Sequence, residues 1–181
     1  MSTKIRATIE DLSTVEDKAE LVNEEIVYMS PTGARPGQAS LRIAAQLLDY
    51  EERTGQGYAF GDNVGFRVNL PHRESFSPDA AFYTGELLEG EFLDGAPIFA
   101  VEVRSKHDYG PAAEEKMQEK RADYFACGTL VVWDVDVLRE QLIRVYRAHD
   151  PDNPVIVRGG DIADAEPAVP GWRMAVDEVC G

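Results

Sequence analysis

The sequence has no apolar run of about 18 residues, the length a membrane-spanning helix needs. Its opening, Met1 to Arg6, has no apolar stretch of the kind a secretory leader carries. Both absences predict a cytoplasmic protein with no membrane partner. Cysteine is scarce: Cys127 and Cys180 share no short metal or redox spacing, and read as free thiols in a reducing compartment. His72, His107 and His149 are scattered, so no zinc-ligand spacing forms. Neither a Walker loop nor a Gly-x-Gly-x-x-Gly turn is present. Positive charge is short as well. Eighteen Lys and Arg stand against 33 Asp and Glu, a formal net charge of −15. Proteins that grip a polyanion by neutralising phosphates carry a basic stripe, and none is visible. A nucleic-acid site here has to be a local basic island or rely on bound cations.

What is present suits one globular domain over residues 1–181. The chain is 44% hydrophobic and 28% charged, enough to build a proper core. Ile9 to Leu12 suggests a short helix. Residues 20–22 and 25–29 read as two strands around a turn at Asn23-Glu24. Between Gly37 and Glu52, Ile43, Ala44, Leu47 and Leu48 fall at helical spacing, and Gly55 and Gly57 end that helix. Strands follow at 58–60 and 65–70, with Pro71 as a break. Asp79 opens a strand over 80–83. Ile98 to Val103 is nearly all apolar, as in a central strand buried on both faces. A helix over 111–126 has Pro111 at its first turn and Gly128 past its end. Residues 129–135 form another buried strand, paired as a hairpin with 141–147, and 174–179 closes the chain as a short helix. The pattern is α/β: a central mixed β-sheet flanked by helices, with a strand–helix–strand crossover at its centre.

Three residues stand out chemically. Glu102 lies inside the apolar strand, where a carboxylate costs several kcal/mol unless it is paired or holds a metal. A structural ion pair is the plain alternative. Ser77-Pro78-Asp79 by itself is a common turn, but a strand starting at Asp79 places its side chain at the sheet's end, beside the Glu102 strand. The third is Lys120. At about 100° per residue, Ala113, Met117, Lys120, Tyr124 and Cys127 share one helical stripe, with Lys116 at its edge. Lys120 therefore sits on the face that packs against the sheet, unless its stem simply snorkels to water. Two carboxylates are hard-oxygen ligands for Mg²⁺, and a neighbouring lysine orients water or stabilises charge on a phosphorane.

These residues carry a resemblance. Pro78-Asp79, then Glu102-Val103-Arg104-Ser105, then Lys120 to Tyr124 with Gly128 and Val132-Trp133-Asp134, resemble the Uma family of restriction endonucleases, within the PD-(D/E)XK superfamily. Glu20 to Asn23, Met29 to Gly33 and Pro170-Gly171-Trp172 fit it too, so the resemblance spans nearly the whole chain. It implies a restriction-endonuclease-like fold and an Mg²⁺-dependent nuclease (Mn²⁺ substituting), acting on nucleic acid, DNA above all. Asp79, Glu102 and Lys120 are the implied catalytic residues. Asp79 and Glu102 would hold the metal, with Glu20, from the family's N-terminal hairpin, as a further acidic contact or else a solvated strand carboxylate. Cutting both strands would call for a homodimer. Two departures are visible. The superfamily's Glu-x-Lys reads Glu102-Val103-Arg104, and arginine cannot act as a base. A histidine common after the Pro-Thr-Gly turn is Pro36. The alternative is a catalytically silent binding or regulatory domain, in which Glu102 and Lys120 form only an ion pair.

Overall fold

A computed structural model of the chain describes residues 6–87, 90 and 92–181. Helix α1 (Ile9–Ser13) starts at Thr8, whose side chain and that of Asp11 cap each other's backbone N–H groups. Strands β1 (Ala19–Val22) and β2 (Glu25–Tyr28) form a hairpin. Its two turn residues, Asn23 and Glu24, both adopt positive φ, as a tight two-residue turn requires.

Helix α2 (Ala34–Thr54) begins three residues before the expected start, taking Pro36 into its first turn, where a missing N–H costs nothing. It buries Ala39, Ile43, Leu47 and Tyr50, spaced by three and four. Gly55 then stops it in the left-handed conformation.

Next come β3 (Tyr58–Phe60), β4 (Phe66–Leu70), β5 (Arg73–Phe76), β6 (Ala80–Tyr83), β7 (Leu93–Asp94) and β8 (Phe99–Val103). Helix α3 (Pro111–Ala126) carries the chain over to β9 (Val131–Asp136), which is parallel to β8. Strands β10 (Leu142–Arg147) and β11 (Asp150–Arg158) continue as antiparallel neighbours. The hairpin of β12 (Ile162–Asp164) and β13 (Arg173–Ala175) and the helix α4 (Val176–Cys180) complete the order.

Two sheets make the frame. One has the order β2-β1-β5-β4-β7, the other β11-β10-β9-β8-β6-β3. The mixed sheet and the β8–α3–β9 crossover agree with the expected class. The sequence reading passed over β5, β7, β11, β12 and β13.

The larger sheet is covered on both faces, and the two-residue period decides what each face holds. Phe99, Val101 and Val103 of β8 join Val131, Trp133 and Val135 of β9 in one core, with Leu47 and Trp172. The intervening Ala100 and Val132 join a second core with Phe66, Phe76 and Tyr124, in which Phe76 stacks on Tyr124 at 4.0 Å between ring centroids. Glu102, two residues after Ala100, therefore points to the α3 side. No helix among the described residues is long and apolar enough to cross a membrane.

Candidate active site

Asp79 directly precedes β6 and is clamped to β8. Its N–H donates to the Val101 carbonyl at 3.0 Å, and its Oδ2 accepts the Val103 N–H at 2.7 Å. Its own carbonyl accepts the Ser40 hydroxyl of α2 at 2.6 Å. In the β6–β8 register Ala80 faces Val101, so Asp79 and Glu102 come from neighbouring strands at the same end of the sheet.

Glu102 Oε1 accepts two contacts, the Tyr124 hydroxyl at 2.7 Å and the Lys120 ammonium at 2.8 Å. Tyr124 and Lys120 both lie on the inward stripe of α3, four residues apart. The stripe argument places Lys120 toward the sheet and Lys116 at the rim, and that is where they are: Lys116 is exposed at the cleft wall.

Glu20 is brought in by β1 and is 3% exposed. Its Oε1 lies 2.8 Å from Lys120 Nζ and accepts the Ser77 N–H at 2.8 Å. Its Oε2 accepts from Arg73 at 2.7 Å. Glu20 is thus neither solvated nor free; every contact on it is a donor. Arg73 continues to Asp123 at 2.8 Å, and Asp123 to His72 at 2.7 Å. A chain of polar contacts runs from an exposed histidine to the lysine at the centre.

Sequence reasoning missed three of these residues. Arg73 and Tyr124 were not assigned to the site, and neither was Lys18, which lies 2.7 Å from Asp79 Oδ1 and 2.5 Å from Asp62 Oδ1. Lys18 and Glu20 are two apart at the start of β1, so both point to the site; that shared face was the signal available.

Arg104 does not replace the missing strand lysine. It is 4% exposed and turned to Asp134, which accepts from it twice, at 2.7 and 2.6 Å, and to Glu114 in the first turn of α3. It ties the end of β8 to β9 and to the helix that carries Lys120.

A cleft of about 580 Å³ opens on this ring, lined by Lys18, Asp79, Glu102, Lys116, Lys120 and Arg121 among others. Its electrostatics are uneven. Burial pushes the Glu102 carboxyl up, the charges of Asp79 and Glu20 add to that, and Lys120 and Lys18 do not offset it. Burial acts the same way on Glu20, but Lys120 and Arg73 outweigh it and its carboxyl sits below the usual range. Burial alone would lower Lys120; Glu102 and Glu20 reverse that and hold it well above the ordinary lysine value. Lys120 therefore stays an ammonium. Among the described residues, no three His, Cys, Asp or Glu side chains form a cluster arranged to hold a metal ion.

Comparison with known proteins follows the same line. The sequence pattern of the Uma2 family, described as "Putative restriction endonuclease", matches residues 7–177. The chain is similar in fold to a crystal structure from Anabaena variabilis, described as a "putative nuclease belonging to DUF820". The TM-score is 0.76 at 14% identity, over 96% of this chain and 97% of that one. Comparison with curated proteins gave no match.

Proposed function

The chain belongs to the Uma2 family, and from that premise we propose that it is an Mg²⁺-dependent phosphodiesterase cleaving nucleic acid, DNA first of all, at Asp79, Glu102 and Lys120. The observation that carries this reading is convergence. Two carboxylates from adjacent strands and one ammonium from the crossover helix meet in a single open cleft.

The donor set suits the metal. Mg²⁺ is commonly held by one or two carboxylates, with waters and substrate phosphate completing its shell, and Asp79 and Glu102 supply two. Burial, with the charges of Asp79 and Glu20, keeps the Glu102 carboxyl raised despite its lysine, and a divalent cation would favour its ionised form. Bound there, the ion would polarise the phosphate and acidify a water.

The chain's own residues do the rest. Lys120, kept charged by Glu102 and Glu20, stabilises negative charge developing on the phosphorane rather than abstracting a proton. Tyr124 fixes the rotamer of Glu102 through its hydroxyl. Glu20, first expected as a metal contact, has its oxygens on Lys120, Ser77 and Arg73; we assign it to positioning Lys120. A second reading, a silent binding domain, is favoured by one feature: lysines already pair with both carboxylates.

Incubating the purified chain with plasmid DNA and with RNA, in Mg²⁺, Mn²⁺ or EDTA, tests the proposal. Cleavage should need metal and be lost in Asp79→Asn, Glu102→Gln and Lys120→Met. Unimpaired cleavage by Asp79→Asn would overturn the site. Binding without cleavage under every metal condition would establish the silent domain instead.

A further inference from the structure

We infer that Lys18 is a resident competitor for the cation at Asp79, and that Asp62 is the carboxylate that receives it when a metal binds. The inference rests on the reading of Asp79 as a metal carboxylate. Both oxygens of Asp79 are engaged: Oδ2 by the Val103 N–H at 2.7 Å, Oδ1 by Lys18 Nζ at 2.7 Å. The first contact is made by a backbone N–H of β8, which the sheet holds in place. The second ends a flexible four-carbon stem. Of the two, only Lys18 can vacate its oxygen.

Its route is built in. The Lys18 backbone is held, because its carbonyl accepts the Met29 N–H at 2.9 Å, so only the side chain moves. Asp62 Oδ1 already lies 2.5 Å from Nζ, and the Asp62 side chain is 46% exposed against 14% for Asp79. A small swing of Nζ trades a buried carboxylate for one at the surface. Charge favours the swing. With Lys18 on Asp79 Oδ1 its ammonium would sit beside the incoming divalent ion; swung fully onto Asp62 it keeps a carboxylate partner and leaves the oxygen the ion would take. Like charges a few ångström apart in a half-buried cleft repel strongly.

Lys120 has no such exit. Its second partner, Glu20, is 3% exposed and fixed by Arg73. The two lysines therefore differ in role: Lys120 stays during binding, Lys18 yields.

Calorimetric titration of MnCl₂ into the full metal-free chain tests this, with the metal-induced rise in melting temperature as a second readout. Lys18→Gln should bind Mn²⁺ about tenfold or more tightly than wild type, because a competing cation is gone. Lys18→Arg, which keeps the charge, should stay near wild type. Asp62→Asn should bind several-fold more weakly, since the displaced lysine has nowhere to go. A merely structural role would weaken metal binding in both Lys18→Gln and Asp62→Asn; opposite signs are what the mechanism demands. Equal or weaker binding by Lys18→Gln, with Asp79→Asn impaired, overturns the competitor role and leaves the metal site standing. Unchanged or tighter binding by Asp62→Asn removes Asp62 from it. Wild-type binding by Asp79→Asn overturns the metal site itself. If Lys18→Gln does not fold, Asp62→Asn, on an exposed loop, still decides the matter.

Discussion

Replacing Arg73 by methionine removes the central link between the N-terminal hairpin and the crossover helix. The guanidinium is 7% exposed, reaches Glu20 at 2.7 Å and Asp123 at 2.8 Å, and lies 4.9 Å from the centroid of Phe76. Methionine fills similar volume but leaves Glu20 buried with only Lys120 and one backbone N–H. Taking one partner from a buried ion pair costs about 3–5 kcal/mol, because the other charge stays out of water. In a chain of this length each kcal/mol moves the melting temperature by about 2–4 °C. The expected drop is therefore about 6–20 °C at pH 7, measured by differential scanning calorimetry on metal-free protein. Neutralising Glu20 as well should return part of the loss. Arg73→Met with Glu20→Gln should be less damaging than the two single changes summed, with a coupling of about 0.5–3 kcal/mol. In the nuclease assay Arg73→Met should lower kcat about 10- to 100-fold, the scale set by residues that orient a catalytic group, with KM nearly unchanged. A melting temperature within about 2 °C of wild type would show that Glu20 finds water or another donor, and would refute the chain of contacts as a support for Lys120.

Glu102→Gln should abolish cleavage yet raise the melting temperature at neutral pH. The folded-state pKa of Glu102 is raised, so its contribution is full below the unfolded value of about 4.3 and is lost as pH rises through the folded value; glutamine escapes that loss, and the gain should vanish in acid. No gain at pH 7 would refute the sign. Gly57→Ala should cost about 2–5 kcal/mol, since Gly57 has a φ of +60° and a Cβ there would lie 2.5 Å from the Phe82 ring. Gly55→Ala, at a similar φ but with nothing within 4 Å, should cost only about 1 kcal/mol by denaturant titration. Residues 104–121 carry five Lys or Arg and four Asp or Glu, so DNA binding in Ca²⁺ should show a shallow slope of log affinity against log salt, on the order of −1 to −3. A steep slope would reveal a basic surface assembled from distant segments.

The reach of sequence reasoning followed the distance over which each residue explains itself. Glu102 is anomalous within its own strand and Lys120 within its own helix, so both were legible from five or ten neighbours. Arg73 was not, because Glu20 lies 53 residues away and no local period marks it; Lys18 shares a strand face with Glu20, but its partner Asp79 lies 61 residues away. Strand β5 was hidden for a related reason. It buries Arg73 and Ser75 rather than a run of apolar residues, and a polar strand reads as a loop until its ion pairs are known. Strand β11 carries Pro151 and Pro154, which argue against a central strand; it is the sheet's edge, where proline is tolerated.

The alternation along β8 makes register a matter of identity as well as stability. Phe99, Val101 and Val103 face one way, Ala100 and Glu102 the other. A slip of one residue against β9 would carry Glu102 in among Trp133 and Trp172 and turn Val101 and Val103 toward the cleft. Such a slip would empty the site and charge the interior in a single displacement. Glu102 is thus a guard on the pairing: a one-residue slip must place its carboxylate among apolar side chains, so the residue proposed to act on substrate also penalises that wrong fold before any substrate is met.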